Sequence, residues 1–192
     1  LRTFPYASPG NEQSSTWSEV RRYRPDFVII WGAGGGQAVS VREAIRNGIA
    51  PEKIHSVVWL AEADMESVGK DTAKGIRKFE GTASGTEPEI IQEIITKVVE
   101  PGKGSGPAEN VGRTYYNVGV ATMAVSVEAA RLALEKFGPP LDGEKLRKGF
   151  EMIENYDAKG LLPPRSFSSQ DHQGGGFGRV AHWDGEKWAP LN

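Results

Sequence analysis

The sequence predicts an α/β fold, a parallel sheet flanked by helices, and three observations carry that expectation. Short apolar runs alternate with amphipathic stretches of helical period through the first third of the chain. A glycine-rich turn, Gly32–Gly36, joins one such run to the helix behind it. Beyond residue 86 the strands stop and three helical patterns follow without a sheet of their own.

Leu1–Tyr6 has the apolar, β-favouring character of a strand end, closed by Ser8-Pro9-Gly10. Asn11–Tyr23 reads as a helix with Trp17, Val20 and Tyr23 on its inner face, stopped by Arg24-Pro25. Asp26–Trp31 is continuously apolar after its first residue, the pattern of a strand buried on both faces. The next helix carries Val41, Ala44, Ile45 and Ile49 and ends at Gly48 and Pro51. His55–Leu60 reads as a third strand, and strand–helix alternation at these spacings implies parallel pairing.

Thr86-Glu87-Pro88-Glu89 fits a capping box ahead of a helix with Ile91, Ile94, Ile95, Val98 and Val99 at helical spacing. Pro101-Gly102 ends it, and Lys103–Pro107 is a polar connection. The longest helix runs from about Thr114 to Phe137 and closes at Gly138-Pro139-Pro140. Its middle, Val118–Val127, is small and apolar almost all round, so it needs cover on more than one side. Leu141–Tyr156 holds a further helix with Leu146, Phe150 and Ile153 inside. Asp184-Gly185, between Val180–Trp183 and Glu186–Trp188, marks a hairpin. Three helices lacking a sheet imply that their sheet lies outside the 192 residues.

Composition excludes several function classes. With 23 basic and 25 acidic residues the net charge is −2, which gives no electrostatic case for nucleic acid. No run approaches the roughly 18 consecutive apolar residues of a membrane span. The absence of cysteine removes disulfides, thiolate metal sites and thiol nucleophiles together. His55, His172 and His182 show no metal-ligand spacing, so no metal is expected, and Asp171-His172 reads as a turn device. No Gly-x-Ser-x-Gly elbow is present, and no constellation rises to catalysis.

The turn Gly32-Ala33-Gly34-Gly35-Gly36-Gln37 stands where a dinucleotide fingerprint would, but Gln37 occupies the place of its last glycine. A tight turn at the rim of a cleft fits better, and no cofactor is expected. Its position still matters, because open α/β sheets bind ligands at the carboxyl ends of their strands. That places Trp31, Ala33 and Gly34 at a candidate site, with Glu62 in the equivalent place after the third strand. Glu62 fits a solvated loop acid and a partner for a cationic ligand group equally well. Tyr116, at the start of the long helix, packs in one reading and presents its hydroxyl to a ligand in the other.

The order and spacing of several segments resemble the type I periplasmic solute-binding proteins of the branched-chain amino acid ABC transporters. The carriers are Ser8–Gln13 with Arg24–Val28 and Trp31-Gly32, then Gly112–Asn117, Pro139–Gly143, Leu162–Pro164 through Asp171-His172, and Trp183–Trp188. The resemblance spans essentially the whole chain and the C-terminal half of such a protein. It implies two lobes joined by hinge crossovers that close on a ligand. Residues 1–85 and 162–192 would form the second lobe, and 86–161 would be helices of the first. It implies no enzyme, a periplasmic or extracellular location, and delivery of an amino acid or related small carboxylate to an ABC transporter permease. In such proteins an acid after the third strand of the second lobe takes the ligand's ammonium, and Glu62 is the nearest match. An aromatic residue often stands where this chain has Ala33, so the expected solute is bulkier than a branched-chain amino acid. A sensor ectodomain of the same fold and a nucleotide-dependent enzyme on the 32–37 turn are the alternatives. The chain by itself is expected to associate with a missing N-terminal half or a second copy, because helices 86–160 expose apolar surface.

Overall fold

A computed structural model describes residues 1–7 and 9–191, so Ser8 of the expected Ser8-Pro9-Gly10 turn lies outside the described residues. The chain forms two compact units: Leu1–Glu80 together with Arg179 onward, and Gly81–Gly178.

The first unit is α/β. Its elements are α1 (Ser14–Tyr23), β1 (Val28–Ile30), α2 (Gly35–Arg46), β2 (Ile54–Ser56), α3 (Glu62–Val68) and β3 (Arg77–Glu80). The chain returns to it through β4 (Arg179–Trp183) and β5 (Trp188–Pro190). The sheet order is β1-β2-β3-β4-β5, with β1, β2 and β3 parallel and the last two pairings antiparallel. One core joins Trp17 and Val20 of α1, Val41 and Ala44 of α2 and Met65 of α3 to Ile30, Ile54, Ala181 and Trp183 of the sheet. All three helices therefore cover the same face.

That arrangement corrects the expectation that the 26–31 run is buried on both faces. Ile30 is buried, but Phe27, Ile29 and Trp31 alternate onto a face with no helix against it. Leu1–Tyr6 forms no strand, although Phe4 packs on the core and meets Tyr23 edge-on at 5.7 Å. The strand expected over His55–Leu60 is Ile54–Ser56; Val57 to Leu60 turn instead, and the buried Leu60 anchors the turn. Residues 77–80 were not read as a strand at all. Their register with His55 and Ser56 of β2 and with β4 makes β3 the third parallel strand, and its charged residues Arg77, Lys78 and Glu80 had hidden the pattern.

The helical unit contains α4 (Glu89–Ile94), continued by one π-turn over Ile95–Val99, then α5 (Thr114–Phe137) and α6 (Gly143–Phe150). α4 begins behind Pro88 with no side-chain cap, so the capping box expected at 86–89 is absent. The Thr86 carbonyl instead accepts a hydrogen bond from Gln92 Nε2 at 2.6 Å. α6 is shorter than the expected 141–156; Asp142 starts it by accepting the Lys145 N–H at 2.8 Å. Its Gly149 lies on the Ala129 backbone of α5, where any side chain would collide with the Ala129 carbonyl. A second core gathers Ala83, Ile91, Ala121, Ala158 and Leu161. By length and composition alone α5 would suffice to cross a membrane. Glu128, Arg131, Glu135 and Lys136 nevertheless populate its last turns, and Ala121, Ala129 and Ala133 are buried within the unit.

The hairpin at Asp184-Gly185 is present with a longer connection: Asp184 Oδ1 accepts the N–H groups of Glu186 and Lys187, both at 2.8 Å, before β5 begins.

Candidate ligand-binding face of the α/β unit

Because β1, β2 and β3 are parallel, their carboxyl ends lie along one rim. The β1–α2 loop, Trp31–Gly34, and the β2–α3 loop, Val57–Ala61, form that rim. Gly34 takes φ 69° to start α2, a left-handed value glycine adopts without penalty. A side chain added at Gly34 or Gly35 would meet nothing within 4 Å, so the backbone there faces open space.

The rim is held from below by two buried glutamines. Gln13 Nε2 donates to the carbonyls of Gly10 (2.7 Å) and Gly36 (2.8 Å), while its Oε1 accepts from Trp17 Nε1 (3.0 Å) and the Ser40 hydroxyl (2.7 Å). One side chain thereby ties the Pro9-Gly10 loop to the first turn of α2. The contact requires glycine at 36, since a Cβ there would lie 2.7 Å from the Pro9 carbonyl oxygen. Gln37 Oε1 accepts from Ser56 Oγ at 3.1 Å, linking α2 to the end of β2. Its Nε2 is buried without a partner among the described residues.

Glu62 is the first residue of α3, not a loop acid, and is half-buried. A carboxylate at that position is favoured by the helix dipole. Asp64, two residues on, accepts the Ala61 N–H at 2.9 Å; burial pushes its pKa up despite that hydrogen bond. Behind Glu62 lies a buried charge cluster. Lys78 Nζ is 3.3 Å from Glu80 Oε1 and 4.4 Å from the centre of the Trp188 ring. Glu80 Oε2 accepts from Arg179 Nε at 3.1 Å. Burial holds the Lys78 pKa down, opposed by the negative charges of Glu80 and Glu62, so the Glu62 carboxylate already acts on this lysine.

The α/β unit brings Ala33, Gly34 and Glu62 to the ends of adjacent parallel strands. The Trp31 side chain turns onto the bare sheet face beside Ile29. Tyr116 belongs to the helical unit, where it packs half-buried against the Ala83–Ile91 core. The sequence gives no sign of Lys78 and Glu80 as a buried pair; Gln13 stands out only within the resembling segment, and Gln37 only as a departure from a glycine fingerprint, neither as a buried brace. Among the described residues no group of three or more His, Asp or Glu side chains could hold a metal ion.

The α/β unit has a parallel-led sheet with its helices on one face, and the chain passes between it and a helical unit at Glu80 and Arg179. The sequence matches the periplasmic binding protein family over residues 1–187, and the chain belongs to that family. A solved protein from the Pseudomonas fluorescens group, described as an ABC transporter permease, shares 36% identity with a TM-score of 0.88, covering 97% of this chain and 47% of that one. A branched-chain amino acid ABC transporter from Thermus thermophilus, with bound valine, has the same fold at 17% identity and a TM-score of 0.75, covering 97% and 50%. A possible leucine/isoleucine/valine-binding protein from Rhodopirellula baltica SH 1 follows at 18% identity and a TM-score of 0.65, covering 89% and 44%. The chain thus spans about half the length of the solved proteins it matches. No curated protein matches it.

Proposed function

We propose that this chain is part of an extracytoplasmic receptor that binds an amino acid or related small carboxylate. The receptor delivers its solute to an ABC transporter permease by closing two lobes on it, with no cofactor and no bond-making. The observation that carries the reading is the family match over residues 1–187, on a chain whose strand ends form an open rim. On this reading residues 1–85 and 162–192 belong to one lobe and the helices of 86–161 to the other, while the compact units themselves divide at Glu80 and Gly178.

In this reading Glu62 meets the ammonium of the solute, and Ala33 and Gly34 leave room for a side chain larger than valine.

Thermal unfolding of the full-length receptor carrying this sequence, against amino acids, amides, aromatic acids and nucleotides, tests the proposal. Ligand at a hundred times its dissociation constant raises stability by about 2.7 kcal/mol, enough to see plainly. The expected result is a shift with a bulky amino acid that Glu62→Gln and Ala33→Trp each weaken. A shift with a carboxylate lacking an ammonium group removes Glu62 from its role, and a shift with nucleotides alone overturns the receptor.

A further inference from the structure

The first turn of α2 opens directly onto the rim, at the carboxyl end of β1. No side chain caps that turn and no acidic residue lies in it. The backbone N–H groups of Gly35 and Gly36 make no hydrogen bond among the described residues. A side chain added at Gly34 or Gly35 would meet nothing within 4 Å, so the approach to these amides is open. Unused amides at the positive end of a 12-residue helix favour a negatively charged group.

Two side chains converge on the same turn. A Cβ at Gly32 would lie 2.5 Å from Tyr6 Oη and 3.3 Å from Gln37 Cγ, so both reach the floor of the β1–α2 loop. The hydroxyl of the half-buried Tyr6 makes no hydrogen bond among the described residues. Gln37 is fully buried, and its Oε1 faces Ser56 Oγ at 3.1 Å, which turns Nε2 away from β2 and toward the loop. Nε2 meets no acceptor among the described residues. A buried donor without an acceptor is costly, and one held in this way marks a place shaped for an acceptor.

We propose that this turn is a carboxylate subsite, with the N–H groups of Gly35 and Gly36, Tyr6 Oη and Gln37 Nε2 as its donors. The inference rests on the reading of the rim as the solute site, and it narrows the solute to an amino acid whose side chain ends in a carboxylate. Glu62 meets the ammonium beyond β2, Ala33 and Gly34 leave a passage for the side chain, and its terminal carboxylate seats on α2. An ionised acceptor draws charge-assisted hydrogen bonds from all of these donors, whereas the NH2 of a neutral amide would face them donor to donor. Gln13 positions the turn from below: it holds the Gly36 carbonyl at 2.8 Å and leaves the N–H groups unused.

The test is calorimetric titration of the full-length receptor carrying this sequence with L-glutamate, L-2-aminoadipate, L-glutamine and glutarate. The expected result is that one of the two acidic amino acids binds at least about tenfold more tightly than L-glutamine. Gly35→Asp, whose own carboxylate takes the subsite, removes that preference while the unfolding midpoint stays at or above the parent's, and Gly35→Ala keeps the preference. Glu62→Gln weakens L-glutamate and L-glutamine alike, which separates the ammonium contact from the subsite. Glutarate binding that Gly35→Asp abolishes upholds the subsite while removing the amino-acid reading. The proposal is overturned if L-glutamine binds as tightly as both acidic amino acids, if Gly35→Asp keeps the preference, or if none of the three acids binds.

Discussion

Replacing Glu80 with glutamine removes the counter-charge of a lysine that has no water to turn to. The Lys78 side chain is fully buried, its Nζ 3.3 Å from Glu80 Oε1. At that distance two unit charges attract by about 5 kcal/mol at an effective dielectric of about 20. The amide keeps a hydrogen-bond acceptor, and the Trp188 ring still faces the ammonium at 4.4 Å. Breaking a buried pair by removing one partner costs about 3–5 kcal/mol, and these remaining contacts put Glu80→Gln at the lower end, about 3 kcal/mol. Arg179 is partly exposed and loses less. All five tryptophans lie in the α/β unit, so their emission in a urea titration reports that unit alone. The double variant Lys78→Met with Glu80→Gln leaves no buried charge and is expected to recover most of the loss. Burial lowers the folded pKa of Lys78 below its ordinary 10.5. Between the two pKa values the unfolded chain binds more protons, so the unfolding free energy rises with pH in that window below 10.5. Glu80→Gln should widen the window and Lys78→Met abolish it. A Glu80→Gln variant within about 0.5 kcal/mol of the parent, or a double variant no better than the single, would refute the account.

Two further substitutions probe how the units are held. Gln13→Ala deletes four buried hydrogen bonds, among them those to the Gly10 carbonyl and from Trp17 Nε1; it should cost about 3 kcal/mol by the same tryptophan-detected titration and speed amide exchange in the first turn of α2. Gly149→Ala drives a methyl into the Ala129 carbonyl where α6 crosses α5 and should cost at least about 2 kcal/mol, seen as earlier loss of helical circular dichroism with the tryptophan transition unmoved.

How much of the site was legible depended on how each residue earns its place. Ala33, Gly34 and Glu62 could be placed because a strand-to-helix turn is written locally, in a short apolar run followed by glycines. Trp31 was placed at the same rim, yet its side chain falls on the sheet face, because alternation along β1 sets its direction. The bracing roles of Gln13 and Gln37 were not legible because a glutamine's role depends on which distant groups reach it, the Gly36 carbonyl and the Ser56 hydroxyl here. β3 was missed because Arg77, Lys78 and Glu80 break the apolar pattern of a strand, and the last two go inside only as each other's counter-charge.

The sequence by itself determined the α/β class, the long helix Thr114–Phe137, the hairpin near Asp184 and the absence of a sheet among the later helices. All of these follow from periodicity and from glycine and proline punctuation over a few residues. The tertiary structure alone decided which face of β1 is covered, that Leu1–Tyr6 forms no strand, and that a lysine and a glutamate share the interior. A strand exists only with a neighbour, a face is buried only by what packs on it, and a charge goes inside only beside its partner; each of those conditions is met, or left unmet, by residues far away along the chain.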